Sequence, residues 1–292
     1  MNQGFISLKD IEFFVLDEAD RMLDMGFIHD IKKVIARLPH KRQSLFFSAT
    51  MSPQVNALAK GLLKDPMHVE VTPESTTVER IKQCIFFVDQ PSKDKLLLSL
   101  MTKQHLTSIL IFTRTKHRAN RIATFLTKNN IPADAIHGNK SQNARIKALK
   151  DFRAGKTKVL VATDIAARGI DIPNISHVIN YELPNEPESY VHRIGRTARA
   201  GTDGTAYSFC CAEERNFLRA IERTTRQKID VMEHKFHSET AKNATGDAAS
   251  PPPRGQGRNH QQKGPKRSGS SERSSPYRGP KPKKKSKFNF RR

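Results

Sequence analysis

Phe13-Phe14-Val15-Leu16-Asp17-Glu18-Ala19-Asp20 is an apolar run that ends in a cluster of acids, and it stands close to Met1. The run reads as a β-strand. A strand that closes on adjacent carboxylates can hold a magnesium ion on a nucleoside triphosphate, with one Asp on the metal and the neighbouring Glu steering the attacking water. Asp17 and Glu18 are the residues for those two parts. The bland alternative is a strand end followed by a solvated helix cap, which is what a lone acidic quartet usually is. A triphosphate site also needs a loop that cradles the phosphates, expected earlier in the chain, and only 16 residues precede Asp17.

Outward from this run, short β-rich segments alternate with amphipathic ones. Strands are expected at Phe13–Leu16, Ser44–Phe47, His68–Val71, Gln83–Val88, Ile109–Phe112, Ala133–Ile136, Lys158–Val161, His177–Asn180 and Thr205–Phe209. Helical spacing marks Ile28–Leu38, Lys116–Lys128, Asn143–Phe152 and Glu213–Arg226; in the second of these, Ala119, Ile122, Ala123 and Leu126 recur at one face. Several strands are apolar throughout, as a sheet buried on both faces requires. The alternation predicts an α/β fold with parallel sheets flanked by helices. The polar, proline-containing segment Thr72–Arg80 reads as a linker. It separates a partial domain at 1–72 from a complete domain at 81–232, with the linker placed at 73–80.

Composition shifts sharply near the end. From Ala241 to Arg292 there are 15 Lys or Arg against Asp247 and Glu272, which supplies 13 of the net charge of +22. That stretch is rich in Pro, Gly and Ser and cannot bury enough apolar surface to offset the entropy of ordering, so residues 233–292 are expected to be a disordered basic tail. A basic chain calls for a polyanion partner. No apolar run reaches the roughly 20 residues of a membrane-spanning helix, no secretory signal is visible in Met1–Asp10, and the three cysteines (Cys84, Cys210 and Cys211) form neither a disulfide framework nor a metal spacing. A reducing cytoplasm fits this composition, and no membrane partner is expected.

Three further motifs follow the acidic one in order: Phe47-Ser48-Ala49-Thr50, then Val161-Ala162-Thr163-Asp164 running through Arg168-Gly169-Ile170-Asp171, then His192-Arg193-Ile194-Gly195-Arg196-Thr197-Ala198-Arg199. Together with Val15–Leu23 they resemble a DEAD-box ATP-dependent RNA helicase, most similar to the bacterial RhlE type, over residues 5–230 or so. The resemblance implies two RecA-like domains that clamp ATP and Mg2+ between them and bind RNA across both. Asp17 would reach magnesium through water, and Glu18 would position the hydrolytic water. Arg196 and Arg199 would act as arginine fingers on the γ-phosphate, and Asp171 would contact the ribose. Asp20, Ser48, Thr50, His192 and Arg193 would couple the two domains, with Arg193 pairing to the acids of the first. Thr115, Gln142, Arg145, Thr163 and Gly169 would line a sugar–phosphate track with little base preference. The resemblance also implies ribosomal or RNA-turnover assemblies as settings.

Two details depart from that pattern. At spacing three, Arg193, Arg196 and Arg199 would share one face if helical, and the family usually has Gly where this chain has Ala198, which matters only if that backbone needs φ > 0. Gly155-Lys156-Thr157 looks like the end of a phosphate-binding loop, yet position 150 is Lys150 rather than Gly and a helix precedes it. Gly155 reads better as a helix C-terminal residue. The chain therefore carries no phosphate-cradling lysine motif, and an N-terminally truncated helicase without turnover, an RNA-binding module, is the expectation for residues 1–292. In the tail, Lys283-Lys284-Lys285 and neighbouring cations are interleaved with Tyr277, Phe288 and Phe290, which suits RNA tethering. Deleting residues 241–292 is expected to weaken RNA binding and flatten its salt dependence; an unchanged slope in a titration against salt contradicts the tether.

Overall fold

The computed structural model describes residues 4–70, 80–103, 106–167, 172, 175–198 and 203–251. The chain divides between Ser75 and Thr76 into two units. In the first, strands β1 (Phe13–Leu16) and β2 (Gln43–Phe46) pair in parallel, Val15 opposite Leu45, and helices α1 (Ala19–Asp24), α2 (Ile28–Ile35) and α3 (Pro53–Leu62) complete it. The third helix shows how the sequence sets a helix start and a buried face. The Ser52 hydroxyl accepts from the Val55 N–H, Pro53 occupies the first turn, and Val55, Leu58, Ala59 and Leu62 are buried at helical spacing. Leu58 and Leu62 pack with Leu16, Ala19 and Ile31 in the core of this unit.

The second unit holds a seven-stranded sheet in the order β5-β6-β4-β7-β8-β3-β9, parallel throughout. Its elements run β3 (Ile81–Phe87), α4 (Lys93–Lys103), β4 (Ile109–Thr113), α5 (Lys116–Lys128), β5 (Ala133–Ile136), α6 (Gln142–Arg153), β6 (Val159–Thr163), α7 (Asp164–Ala167), β7 (His177–Asn180), α8 (Pro187–Ile194), β8 (Gly204–Cys210), α9 (Arg215–Thr225), β9 (Asp230–Val231) and α10 (Glu239–Asn243). The central strands are apolar on both faces because helices cover both. Ile109 and Ile111 pack with Ala119, Ile122 and Leu126 of α5 on one side, while Leu110 and Phe112 pack with Ala148 and Phe152 of α6 on the other. Each such side chain contributes about 1.5–3 kcal/mol through burial. Gly155 closes α6: at φ +71 it donates to the Phe152 carbonyl, and Lys156 donates to that of Asp151, the two bonds of a Schellman turn. The cysteines are reduced and buried, and burial raises the Cys211 thiol to about 12.

Three expectations change. No strand forms at His68–Glu70, where Val69 is 76% exposed and pairs with neither β1 nor β2; Val71 lies outside the described residues. The described structure does not stop at Met232. Ala241, Ala244 and Ala249 are buried on the second unit, the Ser238 hydroxyl donates to Asp89, and Arg219 donates to the Ala244 carbonyl. Alanine and serine carry that packing, so no bulky apolar pattern signals it. Third, α8 ends at Ile194 with Gly195 as its cap, so Arg196 lies beyond the helix and shares no helical face with Arg193.

One glycine is set by contact. A methyl group on Gly204 would stand 2.5 Å from both Thr197 Oγ1 and Cγ2. Thr197 cannot yield, because its hydroxyl donates to the Ile175 carbonyl at 2.5 Å in a fully buried site. Gly204→Ala should therefore destabilise the second unit by about 1–3 kcal/mol in a denaturant titration; a neutral substitution would contradict this packing.

Candidate functional site

At the end of β1 the chain turns sharply into α1. Glu18 takes a left-handed backbone, φ +49, and its N–H donates to Asp17 Oδ1 at 2.8 Å. A non-glycine residue in that region costs on the order of 1 kcal/mol, a kind of strain that gathers at functional positions. The turn leaves Asp17 exposed while Asp20 is buried. Asp20 is spent inside its own unit: Oδ2 accepts from the Thr50 N–H at 3.2 Å and the Thr50 hydroxyl at 3.1 Å, and Oδ1 accepts from the Arg21 N–H. The Ser48 oxygen accepts from the Asp20 N–H, and its proton goes to the Thr50 carbonyl at 2.7 Å. These three expected coupling residues thus form one hydrogen-bonded latch between the acidic strand end and the loop after β2. No group of three or more His, Cys, Asp or Glu that could cage a metal lies among the described residues. A single exposed carboxylate fits magnesium, which keeps several of its waters.

In the second unit the centre is Arg193, 1% exposed. Its guanidinium forms a bidentate pair with Asp164, Nε to Oδ1 at 2.6 Å and Nη2 to Oδ2 at 2.7 Å. Nη1 donates to Asn180 Oδ1 at 3.1 Å and to the Glu182 carbonyl at 2.7 Å, and the plane lies 5.1 Å from the Phe112 ring centre. Within the second unit these contacts engage four of the five guanidinium N–H donors. His192 and Arg196 are half-buried beside it in sequence. Ala198 sits at φ +54, so this backbone does use the region that glycine adopts without cost, and the alanine carries a penalty of about 1–2 kcal/mol.

The expected nucleic-acid residues gather at one sheet edge. β5, β6 and β4 are neighbours in the sheet; Thr163 ends β6, Thr115 follows β4, and Gln142 and Arg145 open the helix after β5. Thr115 caps α5, accepting from the Arg118 N–H, which leaves its hydroxyl proton for an acceptor outside. Ser141 caps α6 in the same way. Arg145 Nη1 approaches Gln142 Oε1 at 3.4 Å, while its buried Nε has no partner. His137 is buried next to these helix starts, with Nε2 3.0 Å from Asn120 Oδ1. Burial first, then Lys140, Lys116 and His117, lower its pKa, so the ring is neutral at pH 7 and the surrounding charge is cationic. Gly169, Asp171 and Arg199 lie outside the described residues.

Composition and pattern did not single out the side chains that hold this edge in place. Arg114, just before Thr115, donates its backbone N–H to Glu182 and its guanidinium to Glu182 and Glu214. Glu214 is fully buried against Lys93 at 2.5 Å. A Glu or Lys in sequence reads as solvated surface; only the fold reveals that these are interior.

Against this geometry, known proteins give a consistent answer. The DEAD/DEAH box helicase family matches residues 1–58, and the helicase conserved C-terminal domain matches residues 92–201. The solved structure of the Escherichia coli DEAD-box protein SrmB, bound to regulator of ribonuclease activity A, is 36% identical and is matched over 95% of its chain and 55% of this one, with a TM-score of 0.52. The chain belongs to the DEAD-box helicase family. The DEAD-box ATP-dependent RNA helicase CshA of Bacillus subtilis is 43% identical over 80% of this chain and 47% of its own length. Its namesake from Geobacillus kaustophilus is 42% identical over 80% of this chain and 50% of its own. The chain thus spans about half the length of these curated DEAD-box relatives. They carry the CshA name, and the RhlE type finds no support in them. Yeast Dbp5 bound to RNA and ADP BeF3 is 34% identical, with a TM-score of 0.71 over 80% of this chain and 62% of that one, so the parallel sheets are RecA-like.

Removing the guanidinium would strand Asn180 and the Glu182 carbonyl in the interior. Arg193→Ala should lower the stability of the second unit by about 3 kcal/mol or more, read by circular dichroism in urea; a loss below ~1 kcal/mol would mean the pair is a surface interaction.

Proposed function

We propose that this chain is the RNA-gripping portion of an ATP-dependent RNA helicase, one that couples RNA-stimulated ATP hydrolysis to local duplex opening. The supporting observation is that Thr115, the Gln142–Arg145 turn and Thr163 issue from three adjacent parallel strands. Two helix N-termini and their cations at one edge suit a single run of phosphates, and contacts of that kind carry no base code. That the Dbp5 relative was solved with RNA adds to this reading.

For hydrolysis, Asp17 would hold Mg2+ through water, and the ion would neutralise charge on the phosphates. Glu18 would orient the attacking water. Arg196 and Arg199 would stabilise the charge that develops on the γ-phosphate, and Asp171 would bind the ribose. Arginine suits this part because it stays charged and presents a planar fork of donors. Arg193 acts one step back, holding the end of α8 so that Arg196 emerges at a fixed place. No glycine-rich loop with a phosphate-binding lysine occurs in residues 1–292. Without that cradle both ATP binding and transition-state positioning suffer, so the chain alone binds RNA without turnover.

Two measurements follow. Multiple-turnover ATP hydrolysis by residues 1–292 should be negligible with or without RNA; hydrolysis that disappears in Glu18→Gln would contradict this. Arg145→Ala should weaken single-stranded RNA binding several-fold, equally for different homopolymers, and reduce the salt slope by about one phosphate contact.

A further inference from the structure

The loop that carries Thr115 is hung on a carboxylate. β4 ends at Thr113, Thr115 caps α5, and Arg114 lies between them. The Arg114 backbone N–H donates to Glu182 Oε2 at 3.0 Å, and its guanidinium donates to Glu182 Oε1 at 3.4 Å. Arg118, whose backbone N–H donates to the Thr115 hydroxyl oxygen, places its Nε 3.5 Å from the same Oε1. Thr113 donates its own hydroxyl to the Thr115 carbonyl at 3.2 Å. Thr115 is therefore held by the residues before it and by the helix turn that it caps, and Glu182 touches both.

Glu182 is itself fixed. It is buried, two residues beyond β7, and its carbonyl accepts from Arg193 Nη1 at 2.7 Å. Tyr181, which precedes it, donates its N–H to the Phe112 carbonyl and accepts from Lys93 Nζ at 3.0 Å. The fully buried Lys93 also pairs with Glu214, which accepts from Arg114 Nη2 at 3.3 Å.

By charge alone this is the wrong place for an acid. Glu182 and Glu214 both stand against the loop of Thr115, and a carboxylate beside bound phosphates works against their binding. Their contacts also engage the Arg114 guanidinium inside the protein. An acid kept there against the charge of the ligand has a geometric part to play. Glu182 Oε2 is the acceptor for the Arg114 N–H, and an N–H left unpaired at such a site is costly. We infer that Glu182 is a positioning residue for the RNA edge. Its carboxylate sets the direction of the Thr115 hydroxyl through Arg114 and Arg118, and its carbonyl ties that setting to Arg193. The inference rests on the reading that RNA is held at this edge.

Two substitutions separate geometry from charge. Glu182→Gln and Glu182→Leu remove the same charge, but only glutamine still offers an oxygen to the Arg114 N–H. In the full chain, Glu182→Leu should bind a single-stranded uridine homopolymer about three- to tenfold more weakly than Glu182→Gln, the effect of one lost hydrogen bond. Both should show the same dependence on salt, because neither alters a cation that meets a phosphate. The difference between them should vanish in a Thr115→Val background and persist in an Arg145→Ala background. A loss of stability alone would weaken binding in all three backgrounds alike. Glu182→Ser, which removes the acceptor and admits water, should show the same weakening and replaces the leucine variant where that one does not fold. Equal binding by Glu182→Gln and the acceptor-free variants overturns the proposal, as does a difference that survives Thr115→Val. The single substitutions Thr115→Val and Arg145→Ala report on the edge itself. If they weaken binding while the Glu182 variants agree, this proposal fails by itself; if neither weakens it, the reading of the edge fails with it.

Discussion

A parallel sheet has to be covered on both faces, and this requirement governs both halves of the chain. The second unit meets it. Its central strands can be apolar at every position because α5 lies on one side and α6 on the other, and that rigid sheet is what aims Thr115, Gln142, Arg145 and Thr163 from a common edge. The first unit meets it on one side only. The same two strands that end in Asp17 and precede Ser48 expose Phe13, Val15 and Phe47 on the other side.

Arg193 gives the second unit its internal logic. Asp164 immediately follows Thr163 at the end of β6, and Arg196 lies three residues beyond Arg193. One bidentate pair, with donors also on Asn180 of β7 and the Glu182 carbonyl, ties the ends of adjacent elements together. Under the proposed function, that pair fixes the spacing between an RNA-facing strand end and a phosphate-facing arginine. The desolvation of a buried guanidinium is large, so such a pair persists where each donor meets an acceptor and not for stability alone. The Asp20–Ser48–Thr50 latch plays the corresponding part in the first unit, holding the acidic turn against the loop after β2.

Much of this was legible in the chain, and the exceptions have physical causes. Periodicity places α5 at Lys116–Lys128 because its buried face repeats at helical spacing; runs of Val, Ile and Phe place β1, β4 and β7. The His68–Val71 segment has strand chemistry, yet pairing is non-local and cannot be read from a segment's own composition. Residues 238–250 escaped notice because alanine and serine do their packing. At the site, residue types pointed to Asp17 and Glu18 and the family resemblance to Arg145 and Thr163, but neither gave their partners. Arg193 and Asp20 look like surface charges in sequence and are interior in the fold. The left-handed turn at Ala198 shows the reverse case: the departure from glycine is visible in the sequence, and only the backbone shows what it costs.

The central claim is that RNA is held at the edge where β4, β5 and β6 end. Photocrosslinking of a bound single-stranded RNA, followed by mass spectrometry of the attached peptides, tests it most directly. The account predicts crosslinks concentrated in the segments around Arg114–Arg118, His137–Arg145 and Thr163. Crosslinks confined to residues beyond Ser250, or spread evenly over the basic surface, would contradict it.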